Sequence, residues 1–231
     1  MSDLLSILVP VYNEAQTIHQ VIQRLLEVPL PLPREIIVVN DGSTDGTREV
    51  LDAIAPVPGV LSIVHAHANG GKGSAVRIGL TRARGTIVAI QDADLELDPV
   101  QLAGLVQPIL DGEAEVVYGS RFLTGRPAGS SISILANRVL TGVTNVLFGC
   151  RITDMETCYK VMQTSIARSL QLESCRFDIE PEITAKLLRQ RRHIVERPVR
   201  FDPRDRADGK KIGWRDGVSA IAVLLKYRFR G

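Results

Sequence analysis

Thr86-Ile87-Val88-Ala89-Ile90-Gln91-Asp92-Ala93-Asp94-Leu95-Glu96 is a β-branched, apolar run that ends abruptly in carboxylates. A strand buried on both faces of a parallel sheet reads as continuous Val and Ile rather than as an alternation. Open α/β sheets bind their ligands just outside the carboxyl ends of such strands. The acids are therefore expected to project from the top of a sheet. Asp92, Asp94 and Glu96 alternate by two, as extended residues on one face do, and carboxylate oxygens in that arrangement suit a hard cation, Mg2+ or Mn2+. Asp-x-Asp by itself equally describes a solvated turn; the buried run before it favours a site.

Working outward, the same grammar repeats. Leu4 to Val11, Glu35 to Asn40, Leu61 to His65 and Glu115 to Gly119 read as further strands. Amphipathic stretches alternate with them, the pattern of βαβ units and a mostly parallel sheet flanked by helices. Asn13 is expected to cap a helix whose Ile18, Val21, Ile22 and Leu25 share a face, and Pro29, Pro31 and Pro33 end it. Asp45 caps the next, with Val50, Leu51 and Ile54 inward. Helices follow near Lys72 to Ala83 and Pro99 to Leu110, the second with Asp98 as cap and Pro99 at its first position. Tyr12-Asn13-Glu14, Asp41-Gly42-Ser43 and Asp92-Ala93-Asp94 should then meet in one crevice. The second half is less regular: a helix over about 131–148, an irregular Thr153–Lys160 loop, a helix over about 179–190, a strand near 193–200, a basic loop, and a last helix from about Trp214, which is expected to anchor it by packing.

With 231 residues, 45% of them hydrophobic, the chain fits one domain, 1–231, with a substantial core. Its 28 basic and 26 acidic residues nearly balance, which argues against bulk nucleic-acid binding. The basic residues concentrate late, from Arg189 through Arg230, so that end should favour anions. Cys150, Cys158 and Cys175 have no CxxC spacing and no secretory signal precedes them, so free thiols in a reducing cytosol are expected. No run approaches the ~20 apolar residues that span a bilayer. Ile132, Leu135, Val139, Val143, Val146 and Leu147 recur at helical spacing and read as a core-facing helix. The alternative is an interfacial helix with Arg138 snorkelling toward headgroups. His65 and His67 read as solvent-facing, and His19 and His193 have no partner visible in the sequence.

Gly70-Gly71-Lys72-Gly73-Ser74 looks like a phosphate cradle ahead of a helix. It is not a P-loop, since Gly73 stands where Ser or Thr is required and Ala66 where Gly is; nor is it a dinucleotide loop, since Val76 replaces Gly or Ala. A plain glycine-rich turn is the other reading.

Five motifs occur in order: Val9-Pro10-Val11-Tyr12-Asn13-Glu14, Val39-Asn40-Asp41-Gly42-Ser43-Thr44-Asp45-Gly46-Thr47, Gly71-Lys72-Gly73-Ser74-Ala75, Asp92-Ala93-Asp94 and Gly119-Ser120-Arg121. Together they resemble inverting glycosyltransferase family 2 over nearly the whole chain. With Asp154-Met155-Glu156-Thr157-Cys158-Tyr159-Lys160, they are similar to the dolichyl-phosphate mannose and glucose synthases, that is, polyprenyl-phosphate glycosyltransferases.

That resemblance implies a glycosyltransferase A-type nucleotide-binding fold, with residues 1–120 as the nucleotide-sugar-binding half and 121–231 as the acceptor-binding half. It implies that Pro10, Tyr12, Glu14 and Asp41 hold the nucleoside, Gly71, Lys72, Asp92 and Ala93 the rest of the donor nucleotide, and Asp92, Asp94 and Glu96 the metal. The family commonly has Gln where Glu96 stands. Arg121, Arg206 and Lys211 are implied as groups for donor and acceptor phosphates, with Arg138 beside them. Asp94, Arg121, Asp154 and Glu156 are the catalytic candidates.

The reaction expected is transfer of mannose or glucose from GDP-mannose or UDP-glucose to a polyprenyl phosphate, with inversion. A lipid phosphate is already anionic and needs little base; a soluble or glycan hydroxyl acceptor would need Asp154 or Glu156 as base. A nucleotide-binding module without turnover is the third reading. Peripheral contact with the cytoplasmic face of a membrane is expected from the basic end.

Overall fold

In the computed structural model, residues 3–125, 129–203 and 214–229 are described. Among them β1 (Leu5–Val11), β2 (Arg34–Asn40), β3 (Leu61–His65), β4 (Ile87–Ile90), β5 (Val116–Ser120), β6 (Lys160–Gln163) and β7 (Ile194–Pro198) form one sheet, in the order β3-β2-β1-β4-β6-β5-β7. All strands run the same way except β6, which is antiparallel to both β4 and β5. Helices α1 (Ile18–Glu27), α2 (Thr47–Asp52), α3 (Lys72–Arg82), α4 (Leu102–Leu110), α5 (Ser131–Phe148), α6 (Thr164–Ser169), α7 (Ile179–Arg189) and α8 (Trp214–Phe229) connect or flank the strands.

Every residue of β4 is buried, and β1 and β2 nearly so, which is why these strands carry unbroken aliphatic runs. Each such side chain contributes about 1.5–3 kcal/mol by leaving water. Ile18, Val21, Ile22 and Leu25 of α1 bury together against this layer as expected, and Asp98 accepts from the Val100 amide ahead of a short 3-10 turn that leads into α4.

Four local expectations need correction. Asp45 is not the N-cap of α2, which is Gly46; it accepts the Thr47 amide from one residue further out. Asn13 does not cap α1, which starts after Thr17; with φ of 54°, Asn13 instead accepts from the Thr44 amide, tying the loop after β1 to the loop after β2. The segment after the Thr153 loop is a strand and a helix, β6 and α6, where no element was expected beyond an irregular loop. And α5 does not turn its apolar face to the core. Asn137, Leu140, Thr141 and Thr144 are buried, while Ile132, Leu135, Val139 and Val146 are exposed.

The chain passes from β1 outward to β2 and β3, then returns to lay β4 on the other side of β1. That reversal makes the β1/β4 boundary a topological switch point, where a crevice opens outside the carboxyl ends of the strands. The loops that begin at Tyr12 and at Gln91 lie on its two sides.

Candidate active site

Across the crevice, the Thr17 hydroxyl donates to the Ala93 carbonyl at 2.7 Å and to the Glu14 carboxylate at 2.9 Å. One side chain thus joins the loop after β1 to the loop after β4. Behind the second loop, the buried Gln91 amide donates to the carbonyls of Asp92 and Leu97, and its oxygen accepts from the Tyr159 hydroxyl at 2.7 Å. These bonds close residues 92–97 into a turn, with Leu95 at φ 64° and the Glu96 amide donating to Asp94 Oδ1. Asp92, Asp94 and Glu96 therefore do not alternate along an extended strand, which ends at Ile90. Gln91 and Tyr159 were missed; a polar residue directly at the end of an apolar run was the available signal.

Asp92 is paired. Lys72 Nζ lies 2.8 Å from Asp92 Oδ1 and 2.9 Å from Glu180 Oε1. The other oxygen of Glu180 pairs with Lys160, which is fully buried at the head of β6 and also donates to the carbonyls of Met155 and Thr157. Two cations and two anions balance in a place where an unpaired charge would be costly. Burial disfavours the charged form of Lys72, but the negative groups around it, Asp92 foremost, outweigh that and hold its pKa well above the usual lysine value. Burial likewise opposes ionisation of Asp92, and Lys72 overcomes it, so the carboxyl sits below its usual range. Lys160 and Glu180 carry no sequence signature of this role.

In this structure the glycine loop holds an anion of the protein itself, the Asp41 carboxylate. Asp41 accepts from the amides of Gly70 at 2.9 Å and Gly71 at 2.6 Å. Its pKa is raised by burial, against the pull of those two amides. Gly71, at φ 87°, and Gly73 are glycines because a Cβ at either would strike the backbone of the 174–175 segment. Cys175 also takes the Ser74 amide, at 3.0 Å, so one N-terminal amide of α3 is already satisfied by protein. What the loop delivers is Lys72.

In the other half, the Arg121 guanidinium grips Asp154 through two bonds of 2.7 and 2.8 Å, and its backbone amide adds a third at 3.0 Å. Asn137 of α5 donates to the same fully buried carboxylate, and Phe201 lies 5.2 Å from the guanidinium. Glu196 of β7 holds the loop by accepting from the amides of Thr153 and Asp154. Asp154 is thus committed to protein. Glu156 is not: its Oε1 is buried with no hydrogen-bond partner among the described residues, and burial, reinforced by the charge of Glu180, raises its pKa to about 7. The two carboxylates, both candidate bases from the sequence, have different characters. Arg138 lies over the Phe122 ring at 5.6 Å. Arg206 and Lys211 fall outside the described residues, as does the Trp214 side chain.

Asp92 and Asp94 share one turn, and two carboxylates with substrate phosphates are an ordinary complement for Mg2+. Among the described residues no group of three His, Cys, Asp or Glu gathers as a preformed metal site. The donor set fits a divalent cation that is completed by its ligand, with the Lys72 ammonium as the present counter-ion of Asp92. His65 was expected to face solvent; instead it bonds Asn40 Nδ2 at 3.0 Å and Asp52 at 3.1 Å, bracing the end of β2. His67 is exposed, and the three cysteines are free. Burial drives the Cys158 thiol far up, so it stays neutral.

An open α/β sheet with acidic loops at its switch point is the architecture of nucleotide-binding glycosyltransferases of the A type. Residues 6–169 match Glycosyl transferase family 2, and the chain belongs to that family. It is 27% identical over 229 residues to the undecaprenyl-phosphate mannosyltransferase of Micrococcus luteus, covering 94% of this chain and 90% of that protein. To the dodecaprenyl-phosphate galacturonate synthase of Rhizobium johnstonii it is 28% identical over 171 residues, 73% of this chain and 50% of that one. Several of the curated relatives are much longer, with the match spanning 33% to 50% of their length. Among solved structures, glucosyl-3-phosphoglycerate synthase from Mycobacterium tuberculosis in complex with Mn2+, UDP and phosphoglyceric acid superposes with a TM-score of 0.76 at 22% identity, over 100% of this chain and 80% of that one. That likeness establishes the glycosyltransferase A-type fold.

Proposed function

We propose that the chain transfers a hexose, mannose or glucose, from a nucleotide diphosphate-sugar to a polyprenyl phosphate with inversion. The observation that carries this is the charge-matched set at the β1/β4 switch point, Asp92 and Glu180 with Lys72 and Lys160, beside a second turn carboxylate, Asp94. The lipid acceptor is supported by the relative from Micrococcus luteus, whose name specifies undecaprenyl phosphate and which matches along almost the full chain.

In this reading residues 1–120 bind the donor and 121–231 the acceptor. Pro10, Tyr12, Glu14 and Asp41 line the nucleoside side of the crevice, with Asp41 acting by fixing Gly70 and Gly71. Asp92 and Asp94 would hold Mg2+ or Mn2+, which stabilises the charge that grows on the departing diphosphate. Lys72 leaves Asp92 for a diphosphate oxygen when the donor enters. The acceptor oxygen forms its bond to the anomeric carbon on the face opposite the diphosphate as the sugar–diphosphate bond breaks. Arg138, with Arg206 and Lys211, attracts the acceptor phosphate; Arg121, anchored by Asp154, shapes the wall between the two ligands. The protein works at the cytoplasmic face of a membrane, where such an acceptor presents its phosphate.

A hydroxyl acceptor is the second reading, and Glu156 favours it. A carboxyl with a pKa of about 7 and an unpartnered oxygen is poised to take a proton at neutral pH. One experiment separates these. The protein is incubated with Mg2+ or Mn2+ and UDP-glucose or GDP-mannose, with and without polyprenyl phosphate, and released nucleotide diphosphate is measured. Release that requires the lipid phosphate is the expected result. Release that is unchanged by it points to a hydroxyl acceptor, and no release with any donor leaves a nucleotide-binding module without turnover.

A further inference from the structure

α5 is folded inside out. Its polar residues point into the protein: Asn137 bonds Asp154, the Thr141 hydroxyl donates to Asn137 and accepts the Met155 amide, and Thr144 is fully buried. On the opposite side Val146 is 85% exposed, Ile132 76%, Leu135 63% and Val139 52%, with Ala136 and Gly142 exposed among them. No acidic residue occurs anywhere in Ser131–Phe148. α8 packs beside α5 with Ala220, Leu224 and Tyr227 buried, and it too carries an outward apolar stripe, with Val218, Ala222, Leu225 and the 75%-exposed Phe229 at helical spacing. Apolar residues scattered singly over a surface are ordinary; two adjacent helices each showing an apolar stripe are not.

The far end of this face carries charge. Val146, Leu147 and Phe148 of α5, Leu188 and Arg189 of α7, Arg191, and Arg228 of α8 line an open groove of about 640 Å³. None of its three arginines has a carboxylate partner among the described residues. The groove is remote from the candidate active site. α7 begins beside Glu180 in the site and reaches Arg189 after a rise of about 15 Å, and α5 runs a similar distance from Asn137 to Phe148.

We propose that the α5–α8 face is the surface by which this chain lies on an anionic bilayer. The apolar stripes enter the boundary between headgroups and acyl chains. Arg189, Arg191 and Arg228 take headgroup phosphates at the distal end, and the first half of α5 sets Arg138 and the Arg121–Asp154 pair at headgroup level. This rests on the lipid acceptor proposed above only for its purpose, not for its geometry. Contrary to the expectation that no run is long enough, α5 is long and apolar enough, by length and composition alone, to cross a bilayer. Spanning would break the bonds of Asn137 to Asp154 and of Thr141 to the Met155 amide, however, and lying flat retains them. A second copy of the chain suits the face less well. A twofold contact sets a patch against itself, so it tends to draw the unpartnered arginines together, whereas an anionic leaflet neutralises them.

Co-sedimentation with vesicles rich in phosphatidylglycerol, against pure phosphatidylcholine, tests this on the full chain. Wild type is expected to bind the anionic vesicles. V139D/V146D, at exposed positions that leave the thermal transition unchanged, should lose binding by about tenfold or more. R189A, R191A and R228A should each weaken binding to anionic vesicles roughly fivefold and leave the phosphatidylcholine background alone. No binding by wild type, full binding by V139D/V146D, or a wild-type dimer that the double substitution dissociates overturns the proposal. Transfer to a short-chain, water-soluble polyprenyl phosphate is measured in parallel. Turnover without vesicle binding refutes the docking face and leaves the function; vesicle binding without turnover supports the docking face and refutes the lipid-phosphate acceptor.

Discussion

On the β1 to β4 side of the molecule, charges sit at the edge of the sheet and are met by neighbouring loops. Asp41 holds two glycine amides, Asp45 the start of α2, and Asp92 the lysine delivered by the glycine loop. On the β5 to β7 side, charges lie in the interior. Lys160, Asp154 and Glu182 are fully buried, each matched by an opposite charge from a different element or a different turn of helix. A charge that keeps contact with water, as the exposed Asp45 does and Asp92 does in part, can be removed at smaller structural cost because water reaches the partner left behind; a fully buried pair that loses one member leaves an uncompensated ion. The first region should therefore lose function when altered, and the second should lose the fold.

The sharpest separation comes from Asp154→Ala. It strips the buried Arg121 guanidinium of two hydrogen bonds and Asn137 of its acceptor, so urea unfolding is expected to show a loss of about 3–5 kcal/mol. A loss below about 1 kcal/mol would mean that Arg121 finds solvent easily and that the two regions are not different in kind. Asp92→Asn is the counterpart. Lys72 keeps Glu180 but shares it with Lys160, and the Asp92 side chain is 28% exposed, so unfolding should shift by about 1–2 kcal/mol, less than at Asp154, while sugar transfer falls on the order of a hundredfold. If transfer survives, the carboxylate serves Lys72 alone and the proposed metal site is refuted.

The same contrast governs what could be read from the sequence. β1, β2 and β4 were legible because strands buried on both faces must be aliphatic throughout, and their loops were legible because polar residues directly follow. β6 was not: it is four residues long and opens with a buried lysine whose partner, Glu180, lies 20 residues on. The helix α5 was placed correctly, since spacing shows which residues share a face. It does not show what that face meets, and a polar interior built around Asp154 reversed the assignment. The turn at Asp92–Glu96 was hidden because Leu95, a non-glycine, takes a positive φ inside the loop that the Gln91 bonds close.

Glu156 tests the border between the regions through pH. Its folded pKa, raised from 4.5 to about 7, means that the folded state holds a proton the unfolded chain has released. Its stabilising contribution is therefore fully present below pH 4.5 and is lost as pH rises through 7. Glu156→Gln removes that dependence. Relative to wild type, the variant should gain about 1–3 kcal/mol of unfolding free energy between pH 4 and pH 8. Parallel stability curves would show that Glu156 is solvated and would return it to the edge class. With a hydroxyl acceptor, the same substitution should also abolish the limb of the kcat profile near pH 7.

The smallest effect is expected at Asp45, where the edge class is purest. Its Oδ1 accepts from the Thr47 amide at 3.1 Å and the Thr47 hydroxyl at 2.5 Å, and Oδ2 from the Ala15 amide at 3.3 Å. Burial opposes its ionisation slightly, and the bonds from Thr47 overcome that, lowering the pKa. A lowered pKa contributes stability above the unfolded value of 3.8, and that contribution disappears as pH falls through the folded value. Asp45→Ala should accordingly cost about 1 kcal/mol at neutral pH, the usual net worth of hydrogen bonds at an exposed turn, and progressively less in acid. Because the Thr47 hydroxyl also accepts the Glu14 amide, loosening Thr47 frees the loop after β1. Donor affinity should then fall by a few-fold with kcat preserved, read as a rise in the dissociation constant of the nucleotide. A loss above about 3 kcal/mol would place this exposed carboxylate among the fold-determining charges, and the division between edge and interior would no longer hold.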